Sequence, residues 1–335
     1  MIARVPVTLL TGFLGSGKTT MFARLLRNPG VGRIAAIVNE FGDTDLDHDL
    51  LEASSEDVVT LGNGCLCCAM RGNLAGTFRD LVARRERDPR FGFDRVVIET
   101  SGLADPVPVL RLLIGDPWIA ERFDVAGVVT TVDAVNGERT LLAHPEAQSQ
   151  VAVADLLAIT KTDLASSAAV ERLERELAER NPTAPRIRVR HGDADPRWLL
   201  DPGALATAPA RPLRPARAGP AGYRRADDRP VHADTGIRSI ACSRERPLSP
   251  DRFDRVLALL GRLSGPDLLR AKGILCVEGR PLPLAVHAAQ DLVHPPAPVA
   301  TPTSPARSRL VVIGRRLDAG ALAELAAEFD PPAAH

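Results

Sequence analysis

Gly12-Phe13-Leu14-Gly15-Ser16-Gly17-Lys18-Thr19 is the stretch that decides the fold of this chain. It has the G-x-x-x-x-G-K-[ST] spacing of a phosphate-binding loop. The apolar run Val5–Leu10 before it predicts a strand, and Thr20–Leu26 after it predicts a helix. Glycines let the backbone wrap a phosphate, and the amides at the helix start point toward the anion. An accidental Gly-rich turn would not need this strand and helix, so the sequence predicts nucleotide binding.

Two side chains of the loop carry specific chemistry. Lys18 supplies a point charge to the outer phosphates, and Thr19 supplies a hydroxyl to Mg²⁺. The chain has 42 Lys and Arg residues, of which only Lys18, Lys161 and Lys272 are lysines. Two of these three lie in nucleotide motifs, where a guanidinium cannot replace a compact ammonium.

Bulk composition excludes several classes of protein. At 335 residues the chain is long enough for about two domains. A net charge of +0 gives no global field for nucleic acid or an anionic membrane. The short N-terminal apolar run argues against a signal peptide, and no apolar run reaches the length of a membrane span. Five cysteines, three of them within four residues, make a poor disulfide framework, so a cytoplasmic location is expected.

Alternating strand-like and helical stretches predict an α/β fold over residues 1–200. Such alternation implies a mostly parallel sheet covered on both faces, with ligands at the carboxyl ends of the strands. A Pro/Ala/Arg-rich linker is expected over 201–233, and a small α+β domain over 234–335. Predicted strands are Val5–Leu10, Ile34–Val38, Val58–Leu61, Arg95–Ile98, Gly127–Val132, Leu156–Ile159, Arg186–Val189, Gly236–Cys242, Gly273–Val277 and Leu310–Ile313; predicted helices include Ala168–Glu179, Asp251–Leu263 and Ala319–Glu328.

Glu99 closes the strand-like run Val96–Ile98 and is a candidate for the acid near Mg²⁺. A carboxylate there can hold a metal-bound water or orient the attacking one. The alternative is a surface glutamate that ends an ordinary strand. Gly102, three residues later, suits a loop whose backbone amide contacts the γ-phosphate.

Thr160-Lys161-Thr162-Asp163 resembles the guanine-reading Asn-Lys-x-Asp motif of G proteins. Asp163 would accept hydrogen bonds from guanine donors that adenine lacks, and the stem of Lys161 would pack along the base. Thr160 replaces the usual Asn, so a hydroxyl contact takes the place of an amide contact. The alternative is a strand end followed by a helix that Asp163 caps.

Gly64-Cys65-Leu66-Cys67-Cys68 is a candidate metal site in a tight loop. Three thiols within four residues can converge on one soft cation, with His, Asp or Glu completing a tetrahedral set. Buried cysteines and a redox pair are the alternatives. Cys242 and Cys276 stand alone on apolar strands, which favours a place in the core.

The chain resembles the CobW-like metal GTPases in seven stretches: GFLGSGKTT, VNEFGD, GNGCLCC, VVIETSGLADP, VVTTVDA, ITKTD and RAKGILCVEG. The resemblance implies a GTPase that carries zinc, or cobalt or nickel in some relatives, to client metalloproteins. By position it places Gly12 to Thr20 on the phosphates and Mg²⁺, Cys65, Cys67 and Cys68 on the metal, and Lys161 and Asp163 on guanine. Glu40 and Asp43 lie where the family has acidic switch residues, as auxiliary ligands.

The chain departs from the resembled family in two places. The histidine run found between the domains of many members is reduced here to His232, and Asp43 stands where Glu is common. A zinc-sensing regulatory GTPase without delivery is an alternative function, and a P-loop kinase with structural cysteines is another. A nucleotide-dependent homodimer is also compatible with this reading.

Overall fold

A computed structural model describes residues 4–39, 58–61, 65–69, 73–88, 91–200, 202, 237–298 and 307–329, with the description of 58–61 and 65–69 confined to the backbone. These residues fall into two compact units, each built on one sheet. The strands are β1 Val5–Gly12, β2 Ile34–Asn39, β3 Val58–Leu61, β4 Cys65–Ala69, β5 Arg95–Thr100, β6 Phe123–Asp133, β7 Leu156–Thr160, β8 Arg186–Arg188, β9 Ile237–Arg244, β10 Leu268–Leu275, β11 Leu284–Ala289, β12 Leu292–Val293, β13 Ala297–Pro298 and β14 Ser308–Arg315.

The helices alternate with strands in the first unit and flank the sheet of the second. None of the described helices is long and apolar enough to cross a membrane. The helices are α1 Lys18–Arg27, α2 Leu74–Arg87, α3 Val107–Gly115, α4 Pro117–Arg122, α5 Gly137–Ala143, α6 Pro145–Ala152, α7 Ser167–Arg180, α8 Pro196–Leu200, α9 Pro250–Leu263 and α10 Ala319–Phe329.

The first unit has an eight-stranded sheet in the order β3-β4-β2-β5-β1-β6-β7-β8. All neighbours pair in parallel except β3 and β4, which are antiparallel. Helix α1 packs through Met21, Phe22 and Leu25 on one apolar cluster, and α7 packs through Leu173 and Leu177 on another. The predicted α/β fold with a mostly parallel sheet is confirmed.

The second unit has a six-stranded antiparallel sheet in the order β12-β11-β10-β14-β9, with β13 paired to β11. Helix α9 begins at Pro250 after Ser249, whose hydroxyl accepts a hydrogen bond from the Arg252 amide at 3.4 Å. Its apolar side chains recur every three or four positions, and Val256 and Leu260 are fully buried against this sheet. The small α+β unit predicted from the sequence is therefore present, although β11 to β13 were not predicted.

The cysteine motif does not form the loop that the sequence predicts. Cys65–Ala69 is strand β4, hydrogen-bonded between β2 and β3. Small residues and glycines around the motif favoured a loop. Pairing on both sides satisfies the backbone groups of the segment, which outweighs its weak local preference.

Candidate nucleotide site

The phosphate loop joins β1 to α1 at the carboxyl end of the parallel sheet. Gly12, Gly15 and Gly17 have φ values of 144°, 69° and 91°, a region that favours glycine. A Cβ at Gly12 would lie 2.2 Å from the Thr131 hydroxyl, so no larger residue fits. The Lys18 ammonium donates to the Phe13 carbonyl at 3.2 Å, which folds the side chain back over the loop.

A row of buried threonines on the sheet supports this loop. Thr100, Thr11, Thr131 and Thr160 lie at the carboxyl ends of four adjacent strands, β5, β1, β6 and β7. The Thr100 hydroxyl donates to that of Thr11 at 2.9 Å, and Thr131 shares a hydrogen bond of 2.6 Å with the Ser16 hydroxyl. These bonds fix the loop to the sheet. Sequence reasoning missed Thr11, Thr100 and Thr131, although each lies near the end of a predicted strand.

Thr160 closes the row on its far side. Its hydroxyl, which the sequence assigned to the base, donates to the Ser16 carbonyl at 2.6 Å. The first residue of the proposed base motif is thus tied directly to the phosphate loop.

Thr19 and Glu99 come together as the sequence arrangement requires. The Thr19 hydroxyl donates to Glu99 Oε1 at 2.7 Å, and Glu99 is only 4 % exposed. Strand β5, which ends just beyond Glu99, lies directly beside β1, which leads into the phosphate loop. A hydroxyl and a carboxylate oxygen are hard donors of the kind that Mg²⁺ prefers, so this pair fits the ion.

The loop after Glu99 touches the phosphate loop at Gly102. A Cβ at Gly102 would lie 2.7 Å from the Leu14 backbone nitrogen, which leaves no room for a side chain. The residue that the sequence proposed as a γ-phosphate contact therefore rests on the loop that holds the phosphates.

Lys161 is held by a buried carboxylate at the end of β6. It is one of the non-glycine residues with positive φ, at 54°, and its ammonium contacts Asp133 Oδ2 at 2.8 Å. Burial raises the pKa of Asp133, but hydrogen bonds from Lys161, the Val135 amide and Asn136 outweigh it and hold this pKa below its ordinary value. Asp133 was not among the residues predicted from sequence; the only signal was an acid ending an apolar strand.

Asp163 faces the loop after β8. The His191 backbone amide donates to Asp163 Oδ1, and His191 Nδ1 lies 3.4 Å from Asp163 Oδ2. Gly192 follows with a φ of 77° and packs against Thr20, where a Cβ would meet the Thr20 methyl at 2.8 Å. The 190–192 segment therefore links the proposed base reader to helix α1.

A cavity of about 420 Å³ lies beside the first half of the phosphate loop, between the loop and helices α5 and α6. Phe13 and His144 stack in its wall with ring centroids 4.3 Å apart. Asp133 and Lys161 also line it, so the cavity runs from the phosphate loop to the base motif.

The predicted metal ligands are only partly covered by the structure. Cys65, Cys67 and Cys68 are described as backbone of β4 alone, and Glu40 and Asp43 lie outside the described residues. Among the side chains that are described, no group of three or more His, Cys, Asp and Glu could hold a metal ion. Cys242 and Cys276 are buried, which confirms their prediction as core residues.

Comparisons with known proteins give matches over both units. Residues 6–188 match the model for the CobW/HypB/UreG nucleotide-binding domain, and residues 237–329 match that for the cobalamin synthesis protein cobW C-terminal domain. The zinc chaperone YjiA of Escherichia coli is 34% identical over 86% of this chain and 87% of its own. The zinc chaperone CobW of Pseudomonas aeruginosa is 32% identical over 96% of this chain and 90% of its own.

Solved structures agree with the sequence matches. The crystal structure of Zn(II)-bound YjiA GTPase from E. coli aligns with a TM-score of 0.70 at 32% identity. The alignment covers 98% of each chain. The architecture of both units is therefore shared with a protein whose structure was solved with bound zinc.

Proposed function

The chain belongs to the CobW/HypB/UreG family, and on that premise we propose that it is a GTP-hydrolysing metallochaperone. It would bind zinc through Cys65, Cys67 and Cys68 and transfer it to client metalloproteins. The observation that carries the hydrolytic part is the 2.7 Å contact between Thr19 and Glu99 beneath the phosphate loop. The relatives named as zinc chaperones support the metal part.

Three side chains of the site would have separate roles at the phosphates. Lys18 would neutralise charge on the outer phosphates once its contact with the Phe13 carbonyl is exchanged for a phosphate oxygen. Thr19 and Glu99 would hold Mg²⁺, which supplies charge neutralisation on the β- and γ-phosphates when bound. Glu99 is buried, so its carboxylate can also orient a water without competition from bulk solvent.

Guanine is the base that the motif at the end of β7 supports. Asp163 offers two carboxylate oxygens, which match the N1 and N2 donors of guanine. Lys161 is fixed by Asp133, and its aliphatic stem would lie along the base. The backbone of Gly102 against Leu14 would complete the γ-phosphate side of the site.

Zinc is the proposed cargo, because thiolates favour it; cobalt and nickel remain candidates on the same ligands. Glu40 and Asp43 are proposed auxiliary ligands. The client is a metalloprotein, and a cytoplasmic location and a nucleotide-dependent homodimer belong to the same proposal.

Base preference tests the nucleotide part. Wild-type protein should bind and hydrolyse GTP in preference to ATP in a Mg²⁺-dependent reaction. Asp163→Asn should weaken GTP and favour xanthosine triphosphate, since the amide presents a donor to the base. Equal affinity of the wild type for ATP and GTP would refute the guanine assignment.

Zinc titration tests the cargo part and its coupling to the nucleotide. We expect one Zn²⁺ per chain, with proton release as thiols ionise, and tighter binding with a GTP analogue than with GDP. By linkage zinc then raises the preference for the GTP analogue over GDP by the same factor, and couplings of about 1–3 kcal/mol are typical. Replacing Cys65, Cys67 and Cys68 by Ser should remove tight binding, whereas Cys242→Ser should not. Identical zinc affinity in the apo, GDP and GTP-analogue states would refute the coupling between nucleotide and zinc binding.

A further inference from the structure

Helix α6 carries three consecutive polar residues that are almost completely buried. Gln148, Ser149 and Gln150 are 7%, 0% and 0% exposed. Buried polar side chains are costly unless they are hydrogen-bonded, so their partners indicate what the helix holds in place. Two of the three reach the loop that follows Glu99.

Gln150 makes the central contacts. Its Nε2 donates to the Gly102 carbonyl at 3.1 Å and to the Ala104 carbonyl at 3.0 Å. The backbone of the same residue is fixed to the sheet, because the Thr130 hydroxyl donates to the Gln150 carbonyl at 2.7 Å. Only the amide nitrogen can serve two carbonyls, so the orientation of this side chain follows from its partners.

Ser149 holds the other end of the same loop. Its hydroxyl donates to Asp105 Oδ1 at 3.1 Å, and that oxygen also accepts from the Val107 amide at the start of helix α3. The segment from Gly102 to Asp105 is thus attached to α6 at both ends. A side chain at Gly102 would collide with the Leu14 backbone, so the two loops lie close together at this point.

We propose that Gln150 is a positioning residue for the γ-phosphate contact: it holds Gly102 against Leu14 of the phosphate loop and so sets the geometry in which the loop distinguishes GTP from GDP. The inference rests on the proposed GTPase function. Gln150 touches neither nucleotide nor reacting water in this role. It acts through the Gly102 and Ala104 carbonyls.

Two substitutions remove the contacts in different ways. Gln150→Glu is nearly isosteric but replaces both donors with a carboxylate facing two carbonyl oxygens. Burial and those oxygens raise the pKa of such a group, and its protonated form restores one donor. Gln150→Met keeps the volume and carries no charge, so it provides a folded variant without donors if the glutamate proves disruptive.

Gln148→Glu is the matched control. Gln148 lies on the same helix and is also buried, but its Nε2 donates to the Leu141 carbonyl of α5, away from the loop. This variant carries the same buried charge. It should lower the stability of the protein without altering the ratio of the Kd values for GDP and a GTP analogue.

The measurement is the ratio of the Kd values for GDP and a non-hydrolysable GTP analogue, with kcat and KM for GTP, between about pH 5.5 and pH 8. For both Gln150 variants we expect the preference for the analogue to fall about tenfold, as loss of two hydrogen bonds predicts. GDP affinity should stay within about twofold, and kcat should fall more than KM rises. The glutamate variant alone should recover part of the ratio as pH is lowered.

The proposal is overturned if Gln150→Met leaves the ratio unchanged, or if Gln148→Glu shifts it as much as Gln150→Glu does. Wild-type protein run in parallel separates this outcome from failure of the proposed function. If wild type hydrolyses GTP and the Kd ratio is the same in wild type and the Gln150 variants, only the positioning role is refuted. If wild type fails to hydrolyse GTP, the proposed function falls and the positioning role with it.

Discussion

The two sheets of this protein bury different kinds of side chain. The parallel sheet buries hydroxyls and carboxylates at its carboxyl ends, including Thr11, Glu99 and Asp133. Among the described residues beyond 236, only Arg270 and Ser308 are buried polar side chains. The core of the second unit is otherwise made of Leu, Val, Ala and Phe, together with Ile313, Cys242 and Cys276.

This difference separates residues that line the candidate nucleotide site from residues that stabilise the fold. Buried polar groups contribute little net stability, and they are retained where chemistry needs fixed dipoles. An apolar core contributes stability in proportion to its area and offers no specific chemistry. Substitutions in the first sheet should therefore act mainly on nucleotide binding, with smaller effects on unfolding, and substitutions in the second core should act mainly on unfolding.

The largest effect is expected from Lys18→Ala. Loss of the ammonium beside the phosphates should weaken GTP binding by about 1,000-fold, or roughly 4 kcal/mol. Lys272→Ala, on β10 of the second sheet, is the matched control and should leave affinity unchanged. Titration with a fluorescent GTP analogue measures both. A comparable loss of GTP affinity in Lys272→Ala would contradict the functional difference between the two sheets.

The next effect is expected from Leu260→Ala in the second core. Leu260 is fully buried on α9, so the cavity should cost about 3 kcal/mol of unfolding free energy. Leu257, which is only partly buried on the same helix, should cost less when changed to Ala. Thermal unfolding followed by circular dichroism measures this. GTP affinity well below the transition should stay at the wild-type value, and a loss there would contradict the comparison.

A smaller effect is expected from Asp133→Asn. The folded pKa of Asp133 lies below the ordinary 3.8, so its stabilisation is complete above that value and is lost as pH falls through the lowered pKa. The variant should cost about 1 kcal/mol at neutral pH, and the difference from wild type should shrink as the solution is acidified below about pH 4. Chemical denaturation across pH tests this.

Asp195→Asn provides the surface counterpart for that experiment. Its pKa is also lowered, by hydrogen bonds and charge from Arg197, but the pair is solvent-exposed. Salt should abolish any effect at Asp195 and leave most of that at Asp133. Equal salt sensitivity at the two positions would show that burial does not set the strength of the Lys161 pair.

The sequence predicted most of the first sheet because most of its strands are apolar runs. The phosphate-loop motif also indicated which edge of the sheet carries the site. Lys18 and Thr19 were predicted because they belong to a spaced motif, and Glu99 because it ends an apolar strand behind that motif. Asp133 and Gln150 were not, because their roles depend on strands and helices that meet only in three dimensions. Strand β4 was missed for a related reason: its pairing with β2 is non-local, and local composition indicated a loop.

The position of β4 in the sheet constrains how a metal and a nucleotide can communicate. Cys68 pairs with Ile37 of β2, and Ile37 pairs with Ile98 of β5, the residue before Glu99. Two strand spacings, about 10 Å, separate the cysteine backbone from the strand of Glu99, the proposed magnesium ligand. A paired strand cannot slide by a fraction of a residue without losing its ladder. The connection between the proposed sites is thus rigid, with discrete strand registers, and a conformational signal between them would pass as a discrete change at the strand ends.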